Sequence, residues 1–461
     1  MSVDWLLDRF RRHRSDAAVV WQDRTSSYGD LLERIDAARD FLAETGIRPG
    51  EPLLLDADFS PGSIAMLIAA IANGNVIVPV ASHVVNLDRK ALARIAQARF
   101  GVNVTAADAY EARLFGFEAN HPLLAELREK GHSGLVLFTF GSTGAPKAAV
   151  HDLDLLLNKF TFVRHKQRMI SFLLFDHIGG FNTLMYTIAN AGCVITVAGR
   201  DVTAVCSAIE KHRAEVLPTS PTFLNLLLMS GEYDRHDLSS LKIINYATEV
   251  MPDTTLRKLN QVFPAVEFRQ SYGLSELGIL RSKSRASDSA WVKVGGEDYQ
   301  TRVVNGVLHI KARSSMLGYL NAPSPFDEDG WFNTQDDVEV DGEWLRFRGR
   351  KSEIINVGGE KVYPAEVESV ILEVDNVTDA TVTKEPHPIT GNIVIAEVRL
   401  RQPEDIKEVS RRIRTHCFSK LPSFKVPVKI RLQETTRVSE RSKKLRSPAT
   451  SPTDPRSEDP Q

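Results

Sequence analysis

The chain has 461 residues, 43% hydrophobic and 25% charged, the composition of a soluble globular protein with a large buried core. A net charge of −2 gives no global electrostatic footprint for nucleic acid or an anionic membrane, so an anionic ligand needs a local site. Cys193, Cys206 and Cys417 are sparse, odd in number and without metal-ligand spacing, which argues against a disulfide framework and reads as inert thiols in a reducing cytosol.

The first stretch, MSVDWLLDRFRRHRSD, mixes Arg9, Arg11, Arg12 and Arg14 with Asp4, Asp8 and Asp16 and lacks a long apolar core. It reads as an amphipathic helix with a basic face, not as a signal or transit peptide. Between Ser27 and Val80 the patterns alternate: a helix over Tyr28 to Thr45, a strand over Pro52 to Leu55, a helix over Pro61 to Ala72, and a strand over Val76 to Val80. Such alternation predicts α/β layering. The longest apolar region, Ile64 to Val80, is broken by Asn73, Gly74 and Asn75, so no membrane span is expected and the protein reads as cytoplasmic.

Leu135 to Asp152, LVLFTFGSTGAPKAAVHD, runs from an apolar strand into a loop of Gly, Ser, Thr and one Lys. Gly141 and Gly144 let backbone N–H groups converge, Ser142 and Thr143 add hydroxyls, and Lys147 adds a mobile positive charge, which is the chemistry of a phosphate cradle. The spacing is not that of a Walker A loop, and Ala148 to Val150 separates it from a helix expected near Asp152. By itself the loop reads equally as a plain strand-to-helix turn.

Further on, Ser220 and Pro221 open a helix through Leu228, Leu241 to Tyr246 is a strand, Pro252 to Phe263 a helix, and Val266 to Gln270 a strand. The loops Ala247 to Met251 and Ser271 to Gly278 then follow the C-terminal ends of two parallel strands, the edge where open α/β sheets bind ligands. After Gly306 come short strands, Val307 to Lys311 and Trp344 to Arg348. Beyond Arg350 the pattern is a small α+β domain: a helix over Pro364 to Leu372, strands near Thr378 to Thr383 and Ile393 to Leu400, a helix over Pro403 to Lys420, and a strand near Val426 to Leu432. The tail, RSPATSPTDPRSEDPQ, is rich in Pro, Ser and charge and reads as disordered.

The glycine loop resembles the signature of the adenylate-forming superfamily, which holds acyl- and aryl-CoA synthetases, peptide-synthetase adenylation domains and luciferases. Further segments follow in family order. QSYGLSE (Gln270 to Glu276) is similar to the Y-G-x-T-E motif, and YATEVM (Tyr246 to Met251) stands at the adenine-pocket strand end. GWFNTQD (Gly330 to Asp336) looks like G-W-F-x-T-G-D, GRKSEIINVGGEKVYPAEVE (Gly349 to Glu368) like the hinge-crossing segment, and SKKLR (Ser442 to Arg446) like the terminal G-K-x-x-R. The likeness extends from Tyr28 to Arg446.

The resemblance implies an α/β protein in two parts. A large N-terminal domain over 1–351, of layered α/β subdomains and a β-rich part, holds the ATP and carboxylate sites. A mobile α+β domain over 352–446 carries the catalytic lysine, with 447–461 a tail. The implied reaction joins a carboxylate to the α-phosphate of ATP with release of pyrophosphate, then passes the acyl group to a thiol, CoA first in preference.

By the same resemblance, Thr139, Gly141, Ser142, Thr143, Gly144 and Lys147 hold the β- and γ-phosphates, and Glu276 helps bind Mg²⁺. Tyr272 stacks on adenine beside Thr248, Glu249 and Ser275. Asp336 accepts the ribose hydroxyls with Arg350 donating to the same sugar. His177, Tyr246, Ala247 and Gly273 border the acyl pocket. Lys443 bridges the incoming carboxylate and the α-phosphate, with Lys444 beside it leaving the register open. The small domain pivots near Ser352 and presents Gly358 and Gly359 to a pantetheine tunnel.

The chain departs from the family pattern at Phe140, Ala148, Gln335 and Ser442, where small polar or glycine residues are usual. Loading of a carrier protein remains open, because carrier and CoA present the same phosphopantetheine thiol. Asp176 beside His177 keeps an amino-acid substrate open, amide formation with an amine is a third option, and a regulatory nucleotide-binding protein is the reading from another class. A small carboxylic acid is the expected partner; the oligomeric state is not legible.

Overall fold

Local capping chemistry starts the helices where the pattern predicts them. The Ser27 hydroxyl accepts from the Asp30 N–H while the Asp30 carboxylate accepts from the Ser27 N–H, and Tyr28–Thr45 ends at Gly46 in the left-handed region. Ser60 and Ser63 repeat this box ahead of Pro61–Ala72, with Pro61 at the first helical position. Every residue from Pro61 to Ile71 is buried, so this helix packs on both faces instead of one. Burying Ile64, Leu67, Ile68 and Ile71 is worth roughly 1.5–3 kcal/mol each.

The structure is a computed structural model that describes residues 3–84, 87–140, 146–197, 199–433 and 444, Phe140 by its backbone alone. The chain packs as a large unit, Met1–Thr248 with Leu256–Phe347, and a small unit, Glu249–Thr255 with the chain from Arg348 onward.

In the large unit, one sheet of seven strands carries Val216–Thr219, Ile243–Tyr246 and Glu267–Gln270 side by side and parallel, with Thr219 opposite Tyr246 and Tyr246 opposite Gln270. All three strands therefore end at one edge. A second seven-stranded sheet has Pro52–Asp56, Val76–Val80 and Gly134–Phe140 parallel at its centre. A third sheet of six antiparallel strands includes Val307–Ala312, Phe332–Asp341 and Trp344–Arg350. The large unit is thus mixed α/β with a β-rich part.

The small unit has its own core, formed by Val367, Ile371, Val382, Ala396, Val398, Ile413 and Cys417 among others. The helices Pro364–Ile371 and Ile406–Lys420 pack on a three-stranded sheet of Val377–His387, Gly391–Leu400 and Lys429–Leu432. The two long strands extend well past the expected segments because they form one continuous hairpin, paired from Val377 with Leu400 to His387 with Gly391.

Two expectations are corrected. Pro146–Asp152 is a strand paired antiparallel with Gly134–Phe140, so the alternative of a plain strand-to-helix turn is set aside, while the helix expected near Asp152 does follow, as Leu153–Leu157 capped by Asp152. At the N-terminus the helix Asp4–Arg12 forms, but Arg9 leaves the solvent face. Its guanidinium donates to the carbonyls of Thr161, at 2.9 Å, and Ala189, because the ends of two chain segments leave carbonyls to be satisfied there. All three cysteines are buried and unbridged, and burial pushes the thiols of Cys206 and Cys417 up to about 12 and 11. No helix among the described residues is long and apolar enough to cross a membrane.

Candidate active site

The edge where the three parallel strands end opens onto a cavity of about 660 Å³ within the large unit. Thr219, Asn245, Ala247, Thr248, Gln270, Ser271 and Gly273 line it from the strand ends and following loops, and His177 and Gly179 from the opposite helix. Tyr246 does not line it. Alternation along the strand sends Asn245 and Ala247 toward the cavity and Tyr246 to the other face, where it is fully buried. Thr248 holds φ +78°, a costly conformation for a β-branched residue, at the point where the chain turns away from the sheet.

His177 is fixed by its position before the helix Ile178–Ala189. Its Nδ1 accepts from the Gly179 N–H at 3.0 Å, which puts the ring proton on Nε2. The turn allows no side chain at residue 180: a Cβ on Gly180 would lie 1.9 Å from the Leu174 carbonyl oxygen. The adjacent Asp176 is buried but does not line the cavity.

The loop after Gln270 brings together residues far apart in sequence. The Tyr272 hydroxyl donates to the Asp336 carboxylate at 2.6 Å, and one face of its ring stacks on Phe347, with centroids 4.6 Å apart and planes at 16°. The residues assigned to adenine and ribose are therefore neighbours. Gln335, in place of the family glycine, takes φ +61°, the left-handed conformation that glycine adopts without cost.

On the other side of this loop, the Tyr319 hydroxyl donates to Glu276 Oε1 at 2.7 Å, while the Lys147 ammonium lies 5.5 Å from the centre of the Tyr319 ring. Burial raises the Tyr319 pKa, and the Glu276 charge raises it further, so the phenol remains a donor. Tyr319 arrives through a two-residue strand in which it pairs with Ala149. The fully buried His151 donates from Nε2 to the Ser275 carbonyl at 2.6 Å, and desolvation lowers its pKa to about 4.

Thr139 and Lys147 face each other across the hairpin arms. Gly141, Ser142, Thr143, Gly144, Ser442, Lys443, Arg446 and the 447–461 tail lie outside the described residues. The helix Leu153–Leu157 starts at the far end of the strand that begins at Pro146, roughly 20 Å away by strand rise, so its N-terminus is not part of this site.

Within the small unit, Gly358 and Gly359 form the two-residue turn between Ile355–Val357 and Glu360–Val362, with φ +59° and +92°. Positive φ at both central residues is the type I′ geometry that favours glycine. Ser352 sits in a single exposed 3₁₀ turn, Lys351–Glu353, just after Arg350 at the end of its strand. The Lys444 ammonium pairs with the buried Asp379 at 2.8 Å and donates to the Ala380 carbonyl at 2.7 Å, while its backbone N–H donates to Glu249.

Tyr319, His151 and Phe347 were missed from sequence, since nothing in their local spacing marks them. Lys159 did carry a signal: it is a lone cation in the apolar run LDLLLNKFTF. Among the described residues the grouping His132, Asp152 and Asp154 has metal-ligand proximity. It is accounted for by ion pairing at 2.8 and 3.6 Å and by Asp152 capping the helix Leu153–Leu157.

Residues 6–320 match the family of AMP-binding enzymes and residues 366–444 match the AMP-binding enzyme C-terminal domain. The chain is 28% identical over 323 residues to long-chain-fatty-acid–CoA ligase FadD13 of Mycobacterium tuberculosis, covering 64% of this chain and 62% of that protein. It is 24% identical to 2-succinylbenzoate–CoA ligase of Bacillus pumilus, covering 92% of each. The chain thus spans less than two thirds of the length of FadD13, though nearly all of the Bacillus protein. In fold it is similar to the anthranilate CoA ligase AuaEII in complex with anthranoyl-AMP, with TM-score 0.80, 18% identity, and 96% and 95% of the two chains covered. It is also similar to the o-succinylbenzoate CoA synthetase of Bacillus subtilis in complex with its acyl-adenylate, with TM-score 0.77, 20% identity and 96% of each chain covered. The match over most of the chain, together with the ordered motifs, leads to one conclusion: the chain belongs to the AMP-binding enzyme family, within the adenylate-forming superfamily.

Proposed function

We propose that the protein is an AMP-forming acid–thiol ligase: it joins a carboxylic acid to the α-phosphate of ATP and then transfers the acyl group to CoA. One observation carries this reading. The loop Ser271 to Glu276 presents a tyrosine–aspartate pair on one side and a glutamate–tyrosine–lysine group on the other, beside a cavity of substrate size. A nucleoside and an acid bound there lie on either side of one short loop.

Tyr272 offers a ring face to adenine and holds Asp336 in place, so that the carboxylate is oriented before the ribose hydroxyls arrive. Lys147 and Thr139, at the ends of the hairpin arms, flank the polyphosphate. Glu276 fits a hard divalent cation: one carboxylate oxygen takes the Tyr319 hydrogen bond, and a single carboxylate with substrate phosphates is how proteins commonly hold Mg²⁺. When bound, that ion supplies charge neutralisation on the phosphates.

In the first half-reaction a carboxylate oxygen forms a bond to the α-phosphorus and the bond to the pyrophosphate oxygen breaks. Lys443 stabilises the charge that builds between the two anions. The pairing of Lys444 with Asp379 supports this register, since the Lys444 ammonium is already engaged inside the small unit. In the second half-reaction the thiol sulfur attacks the acyl carbon and AMP leaves. The bare Gly358–Gly359 turn suits a narrow pantetheine arm. CoA stands first because FadD13 and the Bacillus pumilus protein are named as CoA ligases. A phosphopantetheinylated carrier presents the same thiol.

ATP–pyrophosphate exchange over a panel of aryl, short aliphatic, long aliphatic and amino acids tests the first step, and exchange is expected with at least one acid. No exchange with any of them would return the protein to the regulatory nucleotide-binding class. Adding CoA, then a loaded carrier, to the best acid separates the two acceptors.

A further inference from the structure

The acyl cavity is lined by Lys159, Arg164, Arg269, Arg281, Lys283 and Lys293, against the single carboxylate of Asp298. Arg269 is neutralised by Glu267 at 2.6 Å and Lys293 by Glu343 at 2.7 Å. Lys159 has no such partner: among the described residues its ammonium donates to one acceptor, the Ile279 carbonyl at 2.8 Å, and pairs with no carboxylate. Burial pushes its pKa down to about 7, and the nearby Arg164 adds to the shift. The Phe160 ring, its centroid 5.1 Å from the ammonium, offsets part of the cost of desolvating Lys159, and an anion placed beside it offsets more.

Two further groups point to a polar occupant. Thr219 Oγ1 and Gln270 Oε1 are buried and have no hydrogen-bond partner among the described residues, although Thr219 is 1% exposed and Gln270 8%. Both residues line the same cavity. Buried polar atoms are rarely left unpaired; the Thr219 hydroxyl can donate to an anion, whereas Gln270 Oε1 can only accept, from a donor on the ligand or a water. The charge balance also disfavours an amino-acid substrate, because Asp176, the acid that kept that option open, does not line the cavity.

We propose that the preferred acid carries a second negatively charged group at its far end, and that Lys159 is the residue that selects it. This rests on the ligase reading for the reacting carboxylate. The diacid's second carboxylate gives Lys159 the counter-ion it lacks. A plain monoacid leaves Lys159 without that counter-ion.

The test measures binding of size-matched pairs by calorimetry: glutarate against its monomethyl ester, adipate against hexanoate, and isophthalate against 3-methylbenzoate. ATP–pyrophosphate exchange is run on the same pairs. The wild-type protein is expected to bind the better diacid at least tenfold more tightly than its partner. Lys159→Met should bring that ratio close to one, a drop on the order of 10- to 100-fold, and Lys159→Arg should keep most of it. A wild-type ratio near one, no diacid binding at millimolar concentration, or a ratio untouched by Lys159→Met would overturn the proposal. The wild-type ratio decides the matter even if Lys159→Met fails to fold. Selective diacid binding that Lys159→Met removes, without any exchange, would uphold the role of Lys159 and sink the ligase reading alone.

Discussion

His151 shows how one buried side chain supports a loop it does not belong to. Its imidazole holds the Ser275 carbonyl next to Glu276, and it remains neutral because burial lowers its pKa from 6.5 to about 4. The unfolded chain therefore binds a proton between pH 6.5 and 4 that the folded chain refuses. Stability from this group is complete above pH 6.5 and is lost as pH falls toward 4. The melting temperature of wild type should thus fall more steeply over this interval than that of His151→Gln, which has no titrating ring; parallel curves would contradict it. Gln335 is the opposite kind of residue, one in a conformation that does not suit it. The left-handed region costs an L-residue about 1–2 kcal/mol, and glycine gives back about 0.5–1 kcal/mol in unfolded-state entropy. Gln335→Gly is expected to stabilise the protein by roughly 0.5 kcal/mol. Thermal or denaturant melts check the sign.

At the scale of elements, the turn at the start of Ile178–Ala189 forms the side of the cavity proposed to hold the acid. A Cβ at residue 180 would meet a backbone carbonyl, which cannot rotate away, so Gly180→Ala must displace the turn that holds His177. The expected result is a severalfold rise in KM for the acid with KM for ATP little changed, because Tyr272, Asp336 and Glu276 sit on other segments. Equal rises in both constants would mean that the turn supports the whole site. The hairpin Gly134–Phe140 with Pro146–Asp152 fixes, through strand pairing, the ends of the segment proposed to hold phosphates. Thr139 and Lys147 are cross-strand partners for that reason.

For the whole molecule, the two proposed half-reactions draw on different parts of the small unit. Lys443 is proposed for the first half-reaction and the Gly358–Gly359 turn for the second. Lys443→Ala is therefore expected to lose ATP–pyrophosphate exchange by orders of magnitude yet still consume supplied acyl-adenylate with thiol. Gly359→Leu, with φ of +92° at that position, should show the reverse pattern. Rapid-quench measurement of each half-reaction checks both, and equal loss in both steps for either variant would contradict the division.

What the sequence determined by itself was local. Ser220 with Pro221 named one helix start, periodicity marked the other helices and the strands, and the motif order identified the family and two-part architecture, because caps, turns and periodicity act over a few residues. The tertiary structure decided which groups meet. The pairs Tyr319 with Glu276, Lys159 with Ile279 and His151 with Ser275 are 43, 120 and 124 residues apart. It also decided that Tyr246 faces away from the cavity, that residues 141–145 connect a hairpin, and that Arg9 caps carbonyls. Each of these depends on strand register and on which buried polar group finds a partner, and both are set only when distant segments pack together.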